Sequence, residues 1–248
     1  MREILYGRQP VRECLRARRR HIHQLILAES IDEKGIVGEI LNLAAALKLP
    51  VKRAARLQLD RIGSVHQGVA LEVAEYPYVE VEAILGWARK LSEQPFILVL
   101  DHLQDPHNLG ALLRTAEVIG AHGAIIPDRR AAEVTPAVVS TSAGASEHLR
   151  VARVTNLVRM LQALKTEGLW VAGLENHPNA QPYDRVDLNL PMALVVGAED
   201  QGLSRLVRET CDLLLRLPTR GQITSLNASV AGGIALYAAL AARGFSAE

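Results

Sequence analysis

Apolar residues recur along the chain in two rhythms, a helical one and an alternating one. Val11, Cys14 and Leu15 share a helical face that opens at Pro10, a residue suited to a first helical position. The pattern then predicts a strand over 22–27 and a helix over 35–47 with Ile36, Ile40, Leu43 and Leu47 in phase. A short strand at Val51 and strand alternation ending at Val73 complete a small α/β unit over 1–76, large enough to keep a core. The stretch 77–94, bracketed by Pro77 and Pro95, reads as a linker carrying a helix near 83–91.

From 95 to 248 the rhythms alternate. Strands are predicted at 96–100, 123–126, 148–151, 169–174, 193–196 and 213–217. Helices are predicted at 109–119, 136–142, 155–166, 203–210 and 226–242, with Thr155 as an N-cap and Gly168 as a stop. Such alternation implies a mostly parallel sheet covered on both faces. Ligands of these sheets sit beyond the carboxyl ends of the strands. The loops after Leu100, Val196 and Leu217 are therefore the places to search.

Composition narrows the class. With 49% hydrophobic and 22% charged residues in 248, a folded α/β protein is expected. The longest apolar run, Val230 to Ala242, is shorter than the roughly 20 residues of a membrane helix, and MREILYGRQP lacks the apolar run of a signal peptide. Cys14 and Cys211 are far apart and match no metal spacing, so reduced thiols, no metal and a cytoplasmic setting are expected. The net charge of +1 is unevenly spread. Residues 1–76 hold 13 Lys and Arg against 9 Asp and Glu, and 77–248 hold 15 against 18. A basic small unit suggests a polyanion-binding module, and a solvated surface explains the excess equally well.

The three loops carry unusual residues. In the first, Asp101 to Asn108, Asn108 can cap the helix that follows, whose buried stripe is Leu109, Leu112, Leu113, Ala116 and Gly120. Arg114 points away from that stripe, within reach of an exposed pair with Glu117, and Gly110 leaves space for a ligand or another backbone. The second loop, Gly197-Ala198-Glu199-Asp200-Gln201-Gly202, is no phosphate cradle, because two adjacent carboxylates repel a pyrophosphate. Those acids favour a neutral or cationic ligand, or serve as first-turn acids of the next helix. The third runs from Leu217 to Ser229 into a helix rich in Ala and Gly, capped by Asn227 or Ser225, that can lie close to another segment.

Together these segments resemble the SpoU (TrmH-type) branch of the SPOUT RNA methyltransferases. The pattern D-x-x-x-D-P-x-N-x-G-x-x-x-R-x-A-x-x-x-G, then G-A-E-x-x-G, then L-P-x-x-G-x-x-x-S-L-N-x-S occurs in order. Tyr6-Gly7 and His66-Gln67-Gly68 resemble the family's small L30e-like substrate-binding domain. The resemblance implies a SPOUT catalytic domain over 95–248, with a C-terminal trefoil knot formed by about 217–242. It implies S-adenosylmethionine bound at Gly197, Leu217, Ile223 and Leu226, and a homodimer. It casts Arg114 as the central catalytic residue, with Asn108, Glu199, Ser225 and Asn227 shaping the pocket. The expected reaction is 2′-O-ribose methylation of RNA, of guanosine in large-subunit (23S) rRNA, with a tRNA target as the alternative within the class. Arg16, Arg18, Arg19 and Arg20 are the candidate phosphate contacts of the N-terminal unit. Two rivals stand outside the class. A non-catalytic ribosome-assembly factor on the same fold would be marked by loss of Arg114 or of the cofactor loop. A nicotinamide enzyme would need a glycine-rich fingerprint that neither unit has.

Overall fold

The computed structural model describes residues 2–63, 65–198, 201–223 and 225–244. The elements in chain order begin with β1 (Arg2–Tyr6), α1 (Arg8–Ala17), β2 (Ile22–Ala28), α2 (Ile36–Ala46), β3 (Val51–Ala54), α3 (Arg56–Asp60) and β4 (Val69–Ala74). There follow α4 (Val81–Leu91), β5 (Phe96–Asp101), α5 (Pro106–Val118), β6 (Gly123–Pro127), α6 (Pro136–Thr141), β7 (Val151–Val154), α7 (Leu157–Thr166) and β8 (Trp170–Leu174). The chain ends with β9 (Gln181–Pro182), β10 (Met192–Gly197), α8 (Arg205–Thr210), β11 (Leu213–Arg216) and α9 (Ala228–Ala242).

Two compact units result, Met1–Pro77 with Val134–His148, and Tyr78–Glu133 with Leu149–Glu248. The first has a four-stranded sheet in the order β1-β4-β2-β3. There β4 runs antiparallel to both neighbours and β2 pairs in parallel with β3. Strand β1 was not expected from the pattern, because Arg2 and Glu3 break its alternation, whereas pairing with β4 supplies its hydrogen bonds. Helix α6 and the turn Ala145–Glu147 join this unit although they lie far along the chain. Tyr76 donates to the Ser146 carbonyl at 2.8 Å, and His148 pairs with Glu13 at 2.9 Å. Arg20 lies between the Glu147 carboxylate oxygens at 2.7 and 3.0 Å and Glu3 at 2.5 Å.

The second unit holds a seven-stranded sheet in the order β7-β6-β5-β10-β8-β11-β9, with every neighbouring pair parallel. On one face Ile97, Val99, Val171, Ala193 and Val195 pack with Ile84 and Leu85 of α4, Leu161 and Leu164 of α7 and Val207 of α8. The helix expected near 83–91 is thus α4, and it packs into this core. On the other face Val196 meets α9 at Gly232, where an added Cβ would lie 2.5 Å from Leu112 of α5. The small-residue helix therefore does press against another segment, as its composition implied. Among the described residues no helix is long and apolar enough to cross a membrane.

Local boundaries differ for identifiable reasons. The strand expected at 148–151 is β7 at Val151–Val154, because the turn Ala145–Glu147 uses the preceding residues. Asn156, not Thr155, caps α7 by accepting from the Arg159 amide at 2.9 Å. Gly120 lies past the end of α5, exposed and at φ 74°, rather than on the buried stripe. Both cysteines are free, and burial pushes the Cys211 thiol up to about 12, so it stays a protonated filler rather than a nucleophile.

Candidate functional site

The ends of three adjacent parallel strands meet around one cavity. After β8, β10 and β11 the chain turns away, and the space between those turns is a cavity of about 270 Å³. Its walls are Leu174, Glu175 and Asn176 after β8, Val196 to Ala198 with Gln201 and Gly202 after β10, and Leu217, Thr219, Ser225 and Leu226 after β11. Ala228 and Ala231 of α9 close it. Its size is near the lower end of small-molecule sites, about 300–1,000 Å³.

Glycines make the turn after β10 possible. A Cβ on Gly197 would lie 2.3 Å from the Gly202 carbonyl carbon and oxygen, and Ala198 bridges Gly202 across the loop. Gly202 itself has φ 62°, a left-handed conformation that suits glycine. Gly197→Ala is accordingly expected to force this wall of the cavity apart and abolish ligand binding there while the sheet still forms. Calorimetric titration of the variant with S-adenosylmethionine, beside its far-ultraviolet circular dichroism, checks this.

The first loop answers to tertiary demands. Asp101 is buried and accepts from the Ser204 amide at 2.6 Å and from His102 at 2.6 Å, which ties the end of β5 to the start of α8. Asp105 caps α5 through the His107 amide at 3.0 Å and also accepts from the Asn108 side chain at 2.9 Å. Asn108 is therefore not the cap, because Pro106 fits the first helical position and leaves the capping place to Asp105. Buried Asn108 instead accepts at 3.0 Å from Asn227. Asn227 caps α9 through the Ser229 and Val230 amides. The two asparagines thus join the starts of α5 and α9 directly beside Ser225 and Leu226 of the cavity.

Of the expected cofactor residues, Gly197, Leu217 and Leu226 line the cavity and Ile223 does not, being 80% exposed. Of the expected catalytic residues, Ser225 lines it, Asn108 and Asn227 adjoin it, and Glu199 lies outside the described residues. Arg114 is exposed on α5 and does not line the cavity. It makes no ion pair with Glu117 or with any other described residue. Gly110 is buried on α5.

The cavity residues missed in the sequence are Leu174, Glu175 and Asn176. Only the neighbourhood of β8 and β10 reveals them. Glu175 forms an ion pair with Arg208 at 2.8 Å, misaligned for a hydrogen bond. Among the described residues no lysine or arginine lines the cavity. Apolar walls, exposed backbone turns and a carboxylate fit an adenosine-bearing sulfonium better than a polyphosphate.

The SpoU rRNA methylase family model matches residues 95–237, which hold the cavity and both asparagines. The chain belongs to the SpoU rRNA methylase family. Residues 4–79 match the model for RNA 2′-O ribose methyltransferase substrate binding. A Bacillus subtilis protein, YacO, assigned to the TrmH family of tRNA/rRNA methyltransferases, is 43% identical over 236 residues, 95% of this chain and 94% of its own. Among solved structures, the SpoU methyltransferase AviRb from Streptomyces viridochromogenes, in complex with AdoMet, superposes with a TM-score of 0.81 at 23% identity. That match covers 98% of this chain and 90% of that one. An RNA 2′-O ribose methyltransferase structure gives a TM-score of 0.78 at 25% identity, over 98% and 89%. The SPOUT-type fold expected from the three loops is therefore the fold of this SpoU chain.

The N-terminal candidates for phosphate contact separate sharply. Arg20 is not one of them, because its guanidinium is buried against Glu147 and Glu3. Burial opposes its charge, yet the neighbouring carboxylates hold it above its ordinary range. Arg19 donates to the carbonyls of Glu147 and Pro77, and Arg16 pairs with Glu13 and Glu39. Arg18, which ends α1 at φ 51°, is exposed and has no ion pair among the described residues.

Proposed function

We propose that this SpoU-family chain transfers a methyl group from S-adenosylmethionine to a ribose 2′-hydroxyl of RNA, with guanosine in 23S rRNA as the target, during rRNA processing in the cytoplasm. One observation carries the reading. Gly197, Leu217, Ser225 and Leu226 converge on one cavity beyond the β-strand ends, next to the Asn108–Asn227 link. The substrate-binding match over 4–79 supports an RNA substrate, and the preference for rRNA over tRNA rests on family analogy. The C-terminal knot belongs to the same reading, with 217–242 as the threaded segment.

The cofactor, when bound, supplies a methyl group already activated by positive sulfur. The protein's part is to place the ribose oxygen in line with that group and to favour loss of the hydroxyl proton. Leu174, Val196, Leu217 and Leu226 exclude water from an adenosine, and Glu175 is the described acid on the cavity wall. Asn108 and Asn227 hold the two helix starts in register, and Ser225 and Glu199 position the nucleotide. Arg114 keeps its charge and stabilises the developing alkoxide, since an arginine is a poor proton acceptor. The deciding experiment is a ribose-methylation map of rRNA and tRNA from cells with and without the gene. A single lost 2′-O-methylguanosine in 23S rRNA is expected, and a loss confined to tRNA, or none, overturns the target or the activity.

A homodimer is part of this reading. Val230, Ile234 and Tyr237 are 51%, 40% and 51% exposed and recur on one face of α9, with Val118 of α5 also exposed. Ile234→Glu with Tyr237→Glu is expected to yield a monomer with little activity, measured by sedimentation velocity and methyl transfer. A dimer of unchanged stability places the contact elsewhere.

A further inference from the structure

A second cavity, of about 390 Å³, lies wholly within the first compact unit. It is lined by Arg8, Ser30, Asp32, Arg56 and Gln67, together with Ile31 and Gly68. Its shape comes from a tight turn. Gln67 and Gly68 have φ 53° and 79°, and a Cβ on Gly68 would lie 2.9 Å from Ile31 Cδ1. The turn fixes Arg8 twice. The Arg8 amide donates to Gln67 Oε1 at 3.0 Å, and Arg8 Nε donates to the Gln67 carbonyl at 3.3 Å.

We propose that this cavity is an RNA-phosphate subsite of the N-terminal unit, with the Arg8 and Arg56 guanidinia as its cationic contacts. The inference rests on the RNA-directed activity proposed above. Arg8 and Arg56 form no ion pair among the described residues, so their charge is available to a ligand. The 16–20 cluster differs, since Arg16 and Arg20 are neutralised by Glu13, Glu39, Glu147 and Glu3. Binding a phosphate at Arg16 or Arg20 requires breaking those pairs, whereas at Arg8 and Arg56 no described ion pair has to break. Arg8 is also pre-oriented by its Nε bond, which leaves both terminal nitrogens to donate to phosphate oxygens. Gln67 Oε1 is occupied, so its amide nitrogen remains a donor, and the Ser30 hydroxyl adds another. Asp32, the one acid among the described lining residues, already accepts from the Lys34 amide at 3.1 Å.

The test uses the full chain and a fluorescein-labelled, mixed-sequence single-stranded RNA of about 20 nucleotides, followed by anisotropy across a salt series. Arg8→Gln and Arg56→Gln are each expected to weaken binding about tenfold, as loss of a charge-assisted hydrogen-bonded contact does. In the double variant the slope of log affinity against log salt is expected to fall by about 1.4, for two phosphates on a single strand. Arg16→Gln is expected to leave both quantities unchanged. Exposed Arg56 contributes no described structural contact, so Arg56→Gln reads the subsite even where Arg8→Gln disturbs the turn. Unchanged affinity, an unchanged slope, or a loss found only on changing Arg16 or Arg18 overturns the proposal. Methyl transfer is followed in parallel. Intact methylation with unchanged RNA affinity sinks the subsite alone. An absence of methylation in the unmodified chain, with affinity still mapping to Arg8 and Arg56, sinks the activity alone.

Discussion

Arg114→Ala is expected to lower ribose methylation by at least about a hundredfold, the usual effect of removing one preorganised donor to developing negative charge. Cofactor binding and melting temperature are expected to stay at their original values. Arg114 is exposed, pairs with no described acid and does not line the cavity, so its removal disturbs neither core nor pocket. Arg114→Lys keeps the charge and loses the planar fork, and should recover only part of the rate. Single-turnover transfer of a radiolabelled methyl group separates the chemical step from binding. Near-normal turnover in Arg114→Ala removes this residue from the reaction.

The largest stability effect is expected at Arg20. Its side chain and that of Glu147 are both fully buried, 2.7 Å apart, with Glu3 on the other side. Arg20→Ala leaves the Glu147 carboxylate buried and unpaired, which costs about 3–5 kcal/mol. In a unit of this size that corresponds to a melting temperature lower by roughly 10 °C or more. Replacing the pair together, Arg20→Met with Glu147→Leu, is expected to restore much of the loss, because no buried charge then remains. RNA affinity measured where the protein is still folded should be unaffected. Thermal and urea unfolding check the first claim, and a stable Arg20→Ala protein refutes it.

These two arginines show where sequence reading succeeds and where it stops. Arg114 stands off an apolar helical stripe, and that periodicity is local, so its exposure could be read directly from spacing. Arg20 sits in a run of arginines that looks like a solvated basic patch. Its partner Glu147 is 127 positions away, and no local pattern connects them. Likewise the cavity loop after β10 was legible from Gly197 and Gly202, whereas the wall formed by Leu174 to Asn176 was not. That wall depends on β10 inserting between β5 and β8, which is a fact of sheet order.

By itself the sequence determined the alternation of strands and helices, the parallel class of the sheet and three loops whose residues mark a SpoU methyltransferase. Those signals are encoded in side-chain periodicity and in turn chemistry, both set by near neighbours. Only the tertiary structure decided which strand ends adjoin, that Asp105 rather than Asn108 caps α5, and which arginines are free. Caps, cavities and ion pairs of that kind follow from distances between remote segments. Those distances exist only once burial of the core has fixed the order of the strands.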